Sequence, residues 1–242
     1  MYLSEAAWTG YIHKLAALNR KASNQMLQWM ETHIYDTTDE LIAYAYALAT
    51  KYGEGAAALS CEMYDLIAEL QSRVLRPPAV PAETASYETV AKTVNGVIKE
   101  SDRLVPAVVG RLVKQAGADT TLQNALRDGA EFAWIPSGDS CAFCLTLASQ
   151  GWQRASKKSI RNGHASHIHS NCNCEYAIRF SAADGVAGYD PDRYLEQYEK
   201  AGRDINTMRR AQYAENRKKI TAQKRAAYRR AHPAEDAADK KS

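Results

Sequence analysis

The 242-residue sequence has no apolar run long enough to span a bilayer. The longest, such as Leu41 to Ala49, fall well short of the roughly 20 residues a spanning helix needs. No membrane partner is therefore expected. The first residues, Met-Tyr-Leu-Ser-Glu-Ala-Ala-Trp, carry no basic stretch ahead of an apolar core. No secretory signal is expected, and the chain should stay in the cytoplasm where it is made or be packed into something assembled there. No segment repeats along the chain. Hydrophobic residues make up 45% and charged residues 24%, which excludes a mainly disordered chain, a collagen-like fibre and a disulfide-dense mini-protein. At 26.8 kDa the chain has room for one large domain or two small ones. Five cysteines without an export signal should be reduced, so they point to metal binding or catalysis rather than a disulfide framework.

The net charge of +3 hides an asymmetry. Between Arg203 and His232 ten Lys or Arg stand against Asp204 and Glu215, a surplus of +8, so the rest of the chain sums to −5. The basic residues that matter are Arg209, Arg210, Arg217, Lys218, Lys219, Lys224, Arg225, Arg229 and Arg230. A basic tail on a mildly acidic body calls for a polyanion or an acidic protein as its partner.

Helical patterning dominates. Thr37 and Glu40 stand in capping-box spacing, and Leu41, Tyr44, Ala45 and Leu48 follow on one helical face. Gly53 and Gly55 should end that helix. Leu59, Met63, Leu66, Ile67, Leu70 and Val74 then repeat the stripe, with their Tyr and Met neighbours expected in the core or against a partner. Three prolines between Pro77 and Pro81 predict an extended linker or crossover. Helical character resumes over 84–130, where Pro106 should separate two helices. Phe132–Ile135, closed by Pro136-Ser137-Gly138, suits a strand and turn, and Tyr176–Phe180 alternates like its partner. Beyond Pro191 the chain is helical and basic, and 233–242 should fray.

The fold expected is therefore α+β and mostly α-helical. Residues 1–83 form an N-terminal helical region with a Pro-rich linker. Residues 84–189 hold further helices and a small Cys/His core with short antiparallel strands. Residues 190–242 form a basic helical tail.

The chemistry-bearing stretch runs from Cys141 to Cys174. Cys141-Ala142-Phe143-Cys144 is followed, after 24 residues, by His169-Ser170-Asn171-Cys172-Asn173-Cys174. A Cys-x-x-Cys turn offers two thiolates to one tetrahedral ion, and a distant second pair closes the site and staples two chain segments. Thiolate and imidazole donors suit Zn²⁺. Cys141, Cys144, His169, Cys172 and Cys174 are five candidates for about four positions. Cys172 and Cys174 are close for two ligands on one ion, so one of them belongs outside the first sphere. His164 and His167 are reserves. The same dithiol could be a redox pair, but no βαβ pattern surrounds it. Neither the His-x-Glu of zinc deaminases nor a His-Glu-x-x-His occurs, so a closed structural site is expected and no catalytic residue is assigned.

From Glu131-Phe-Ala-Trp-Ile-Pro-Ser-Gly-Asp-Ser-Cys-Ala-Phe-Cys-Leu-Thr-Leu-Ala-Ser-Gln-Gly-Trp152 to His169-Ser-Asn-Cys-Asn-Cys174 and the strand after it, the chain resembles the phage Mu protein F-like minor head proteins. The likeness is greatest to their actinobacterial-phage branch and covers about 131–180. Many of those relatives have Arg where this chain has Asn173. The resemblance implies a non-enzymatic virion protein inside the phage head, present in the host cytoplasm during assembly. It implies portal protein and major capsid protein as partners, and a role in head morphogenesis and in DNA packaging or ejection. A +8 helical tail inside a head would neutralise phosphates of packaged double-stranded DNA without reading bases.

Two other classes compete. A metal-dependent nuclease of the HNH type could draw on His167, His169 and Asn171, but no Asp-His or His-His pair opens such a motif. A zinc-containing DNA-binding regulator would fit the tail, but no helix-turn-helix or finger array is visible.

Overall fold

The computed structural model describes residues 1–33, 37–138, 140–161 and 173–231. It is mostly helical, with a few short strands in two small sheets. Helix α1 (Glu5–Thr32) begins at Ser4, whose hydroxyl accepts the Ala7 N–H at 3.2 Å. It buries Trp8, Tyr11, Ile12, Leu15, Ala22 and Met26 at helical spacing. Helix α2 (Thr38–Gln71) begins where the capping signal places it, with Thr37 Oγ1 accepting the Glu40 N–H at 3.4 Å.

The expected break at Gly53 and Gly55 is not there. The helix runs through both for 34 residues. Tertiary packing explains this at Gly53, where an added Cβ would lie 2.9 Å from Thr84 Cγ2 and 3.5 Å from Ala116 Cβ. Glycine costs about 1 kcal/mol in a helix, but here it permits an approach no side chain would allow. The apolar stripe is also rotated from the expected one. Ala56, Ala57, Ser60, Tyr64, Ile67 and Ala68 are buried, Leu59, Met63 and Leu70 only partly so, and Leu66 and Val74 are exposed. Small residues line the buried face because helix α4 crosses there.

Helix α3 (Tyr87–Ile98) and a short 3₁₀ turn (Asp102–Leu104) lead into α4 (Val105–Asp128), with Pro106 in its first turn as the sequence predicts. Helix α4 packs along both α1 and α2. It ends at Gly129, in the left-handed region at φ 66°. The Pro-rich segment is a crossover strapped to these helices. The Ala79 N–H donates to Asp65 and the Ala82 N–H to Thr120, while Arg127 donates to the carbonyls of Pro77 and Pro78.

Strand β2 (Glu131–Ile135) leads to α5 (Ala142–Ala148), β3 (Gln153–Arg154), α6 (Lys157–Arg161) and β4 (Glu175–Arg179). The sheet order is β3-β2-β4, antiparallel throughout. Both predicted strands are present and paired with each other. Glu131 faces Arg179 across them, with an ion pair at 2.6 Å. The sheet lies against α4 and α2, and Tyr176 packs edge-on to Phe132 and Trp134. Buried Lys114 of α4 reaches the Trp134 ring at 5.3 Å. A parallel two-residue pair joins β1 (Tyr2–Leu3) to β5 (Gly185–Val186). Helices α7 (Pro191–Lys200) and α8 (Ile205–Ala231) follow. Among the described residues no helix is long and apolar enough to cross a membrane.

Candidate metal centre and nucleic-acid surface

The Cys-x-x-Cys segment forms the entry to α5. Cys141 occupies its N-cap position, in extended backbone, and Cys144 sits one turn in. Their sulfurs lie 3.7 Å apart, with Cys144 buried and Cys141 half-buried. Two thiolates on one tetrahedral zinc, each at ~2.3 Å from the metal, stand about 3.8 Å apart. This pair therefore has the edge length such an ion requires.

Cys174 is fully buried at the start of β4. Its sulfur lies 3.1 Å from Ser140 Oγ and accepts the Ser137 N–H at 3.4 Å. It thus braces the turn that presents Cys141. His169 and Cys172, with the reserves His164 and His167 and with Asn171, lie outside the described residues. Among the described residues no three potential ligands come together. Of the five candidates the structure pairs Cys141 with Cys144 and places Cys174 beside the turn they share.

The Cys turn also carries the root of α8. Asp204 caps that helix, accepting the N–H groups of Asn206 and Thr207. The Thr207 hydrogen bonds, then the Asn206 N–H, hold its carboxyl below the usual range. Met208 is buried beside α5, and Gln212 Nε2 donates to the Ser140 carbonyl at 3.0 Å. Past Gln212 the anchoring stops, and every residue from Tyr213 to Arg230 is exposed.

All nine basic residues expected in the tail lie on α8 and are exposed. At 3.6 residues per turn they fall on all sides of the helix, and from Arg209 to Arg230 they span about 33 Å. Lys219 pairs with Glu215 at 3.2 Å and Arg210 approaches Asp204 at 3.8 Å. Such exposed pairs contribute little. The result is a cylinder of positive charge with no apolar face, fit to meet a polyanion from any direction.

One basic residue escaped the sequence reading. Arg193 of α7 lines the same groove as Cys141 and Arg209. It stands outside the charge run that marks the tail, and only the turn between α7 and α8 brings it there. That turn uses two consecutive left-handed residues, Gly202 and Arg203. Beside Arg193, Tyr194 has its hydroxyl pushed up by burial, against the nearby guanidinium and with the Cys174 sulfur adding to the rise.

A family model described as VG15 protein matches residues 3–201. No curated protein and no solved structure matches the chain.

Proposed function

The chain belongs to the VG15 protein family, a family of phage proteins, and from that premise we propose that it is a minor head protein of the phage Mu protein F-like kind. In this reading it lies inside the head beside the portal protein and touches the major capsid protein. It assists head assembly and DNA packaging or ejection, and it performs no catalysis. The observation that carries the proposal is α8, an exposed arm with cations on every side, rooted on the Cys turn whose residues resemble those of the minor head proteins. Charge distributed in this way neutralises phosphates of double-stranded DNA without base readout.

The core is proposed to hold one structural zinc. Cys141 and Cys144 supply two thiolates at the right separation. His169 and Cys172 are the sequence candidates for the remaining positions, and Cys174 supports the turn through Ser137 and Ser140. A closed ion of this kind contributes folding energy rather than chemistry.

The test is peptide mass spectrometry on DNA-filled heads purified after phage induction. Co-purification at a few copies per portal is the expected result. A chain found only in the soluble lysate, and absent from heads, overturns a virion role.

A further inference from the structure

We propose that the groove between α7, the root of α8 and the Cys141 turn binds a single-stranded phosphodiester segment. The inference rests on the proposed contact with DNA and gives one part of that contact a definite site. The groove has a volume of about 580 Å³, within the few hundred to a thousand Å³ of sites that take nucleotide-sized ligands.

Its charges differ from those on the rest of α8. Along the arm the cations radiate outward, whereas here Arg193 of α7 and Arg209 and Lys219 of α8 line one concavity. Glu215 also lines the groove and stands 3.2 Å from Lys219, so the two guanidiniums carry the groove's net positive charge. Arginine presents a planar fork of donors that matches phosphate oxygens bidentately. The wall is polar and held in place, since the Gln212 amide is fixed to the Ser140 carbonyl at 3.0 Å.

Aromatic rings complete the chemistry. Tyr213 stands at the groove with 68% of its surface exposed, so its ring face is open to a base. Tyr194 lines the groove half-buried, backed by Tyr189 at 6.1 Å in a stacked orientation. Arginines that track phosphates beside rings that accept bases are the means by which proteins hold single strands regardless of sequence. Bases inside a duplex do not offer their faces to such rings.

The experiment is fluorescence anisotropy on the full chain with a labelled oligothymidylate of twelve residues and a duplex of equal length. Arg193→Ala and Tyr213→Ala are each compared with wild type, with Tyr213→Phe, and with a quadruple substitution of Lys224, Arg225, Arg229 and Arg230 by Ala. All these positions are exposed, and circular dichroism checks that helicity is retained. Arg193→Ala and Tyr213→Ala are expected to weaken oligothymidylate binding at least about fivefold while duplex binding stays within about twofold, and Tyr213→Phe is expected to behave as wild type. Unchanged oligothymidylate binding in Arg193→Ala, or equal loss on both DNAs, overturns the groove. Duplex binding that the quadruple substitution leaves wholly unchanged overturns the distal half of the arm as a duplex contact instead, and leaves the groove standing.

Discussion

The side-chain amide of Asn124 and the backbone of Val80 are joined by two hydrogen bonds, one in each direction, at 2.8 and 2.9 Å. Asn124 thereby imitates a neighbouring strand for a proline-flanked segment that cannot form a regular ladder. Asn124→Ala leaves both Val80 backbone groups without that partner and should cost about 1–3 kcal/mol. For a chain of this size that lowers Tm by several degrees, measurable by calorimetry. Val80→Ala should change Tm little, because Val80 is used through its backbone and the residue is 60% exposed. A Val80→Ala effect as large as that of Asn124→Ala would refute the strap.

Gly53 and Gly96 should respond oppositely to the same change. Both are inside helices, where alanine ordinarily gains about 1 kcal/mol over glycine. At Gly96 nothing lies within 4 Å of an added Cβ, so Gly96→Ala should raise Tm. At Gly53 the methyl would meet Thr84 Cγ2 at 2.9 Å, and overpacking typically costs about 1–3 kcal/mol. Gly53→Ala should therefore lower Tm, and Thr84→Ser in the same chain should restore part of the loss.

The same contrast marks what was legible in the sequence. Thr37 and Glu40 set the start of α2 by local hydrogen bonding, and Pro106 and the Phe132 and Tyr176 segments also act locally, so each could be read directly. Gly53 could not, because its reason is Thr84, thirty-one residues away. Nor could the stripe on α2, since the side chosen for burial is the one whose alanines and serine admit α4 rather than the one richest in leucine. In the candidate site, the spacing of Cys141 and Cys144 carried over into a matched pair. Arg193 was invisible because its partners in the groove come from α8 and from the Cys141 turn, far from it in sequence.

Acid should release the strap from its other end. Burial pushes the Asp128 carboxyl up, but hydrogen bonds from Arg127 and Tyr64 outweigh it and hold the group below its ordinary value. A carboxylate lowered on folding stabilises the protein above its unfolded pKa of about 3.9, and that contribution is lost as pH falls through the folded value. Urea unfolding between pH 5 and 2 should show Asp128→Asn to be less stable than wild type at pH 5, with the difference shrinking toward pH 2. A difference that stays constant across this range would show that Asp128 does not titrate with folding.

Elemental analysis of the purified chain should find one zinc per molecule, and Cys141→Ser or Cys144→Ser should abolish it. Cys174→Ser is expected to keep the metal, in keeping with a sulfur that braces the turn through Ser137 and Ser140, while lowering Tm by placing a hydroxyl at a fully buried site. Metal loss in Cys174→Ser equal to that in Cys141→Ser would make Cys174 a ligand rather than a brace.

The arm sets how duplex binding depends on salt. Each phosphate neutralised by Lys or Arg contributes about −0.9 to the slope of log K against log salt. If roughly half or more of the nine cations on α8 engage, the slope is on the order of −4 to −8. Deleting residues 213–242 removes seven of those nine and takes away no buried side chain among the described residues, so Tm should be unchanged while the slope collapses toward that of Arg209 and Arg210 alone. The comparison separates charge from fold, since a truncation that unfolded the chain would move both quantities. A truncated chain with the full slope would mean that DNA is met by the body of the protein, and the exposed basic helix would then need another acidic partner.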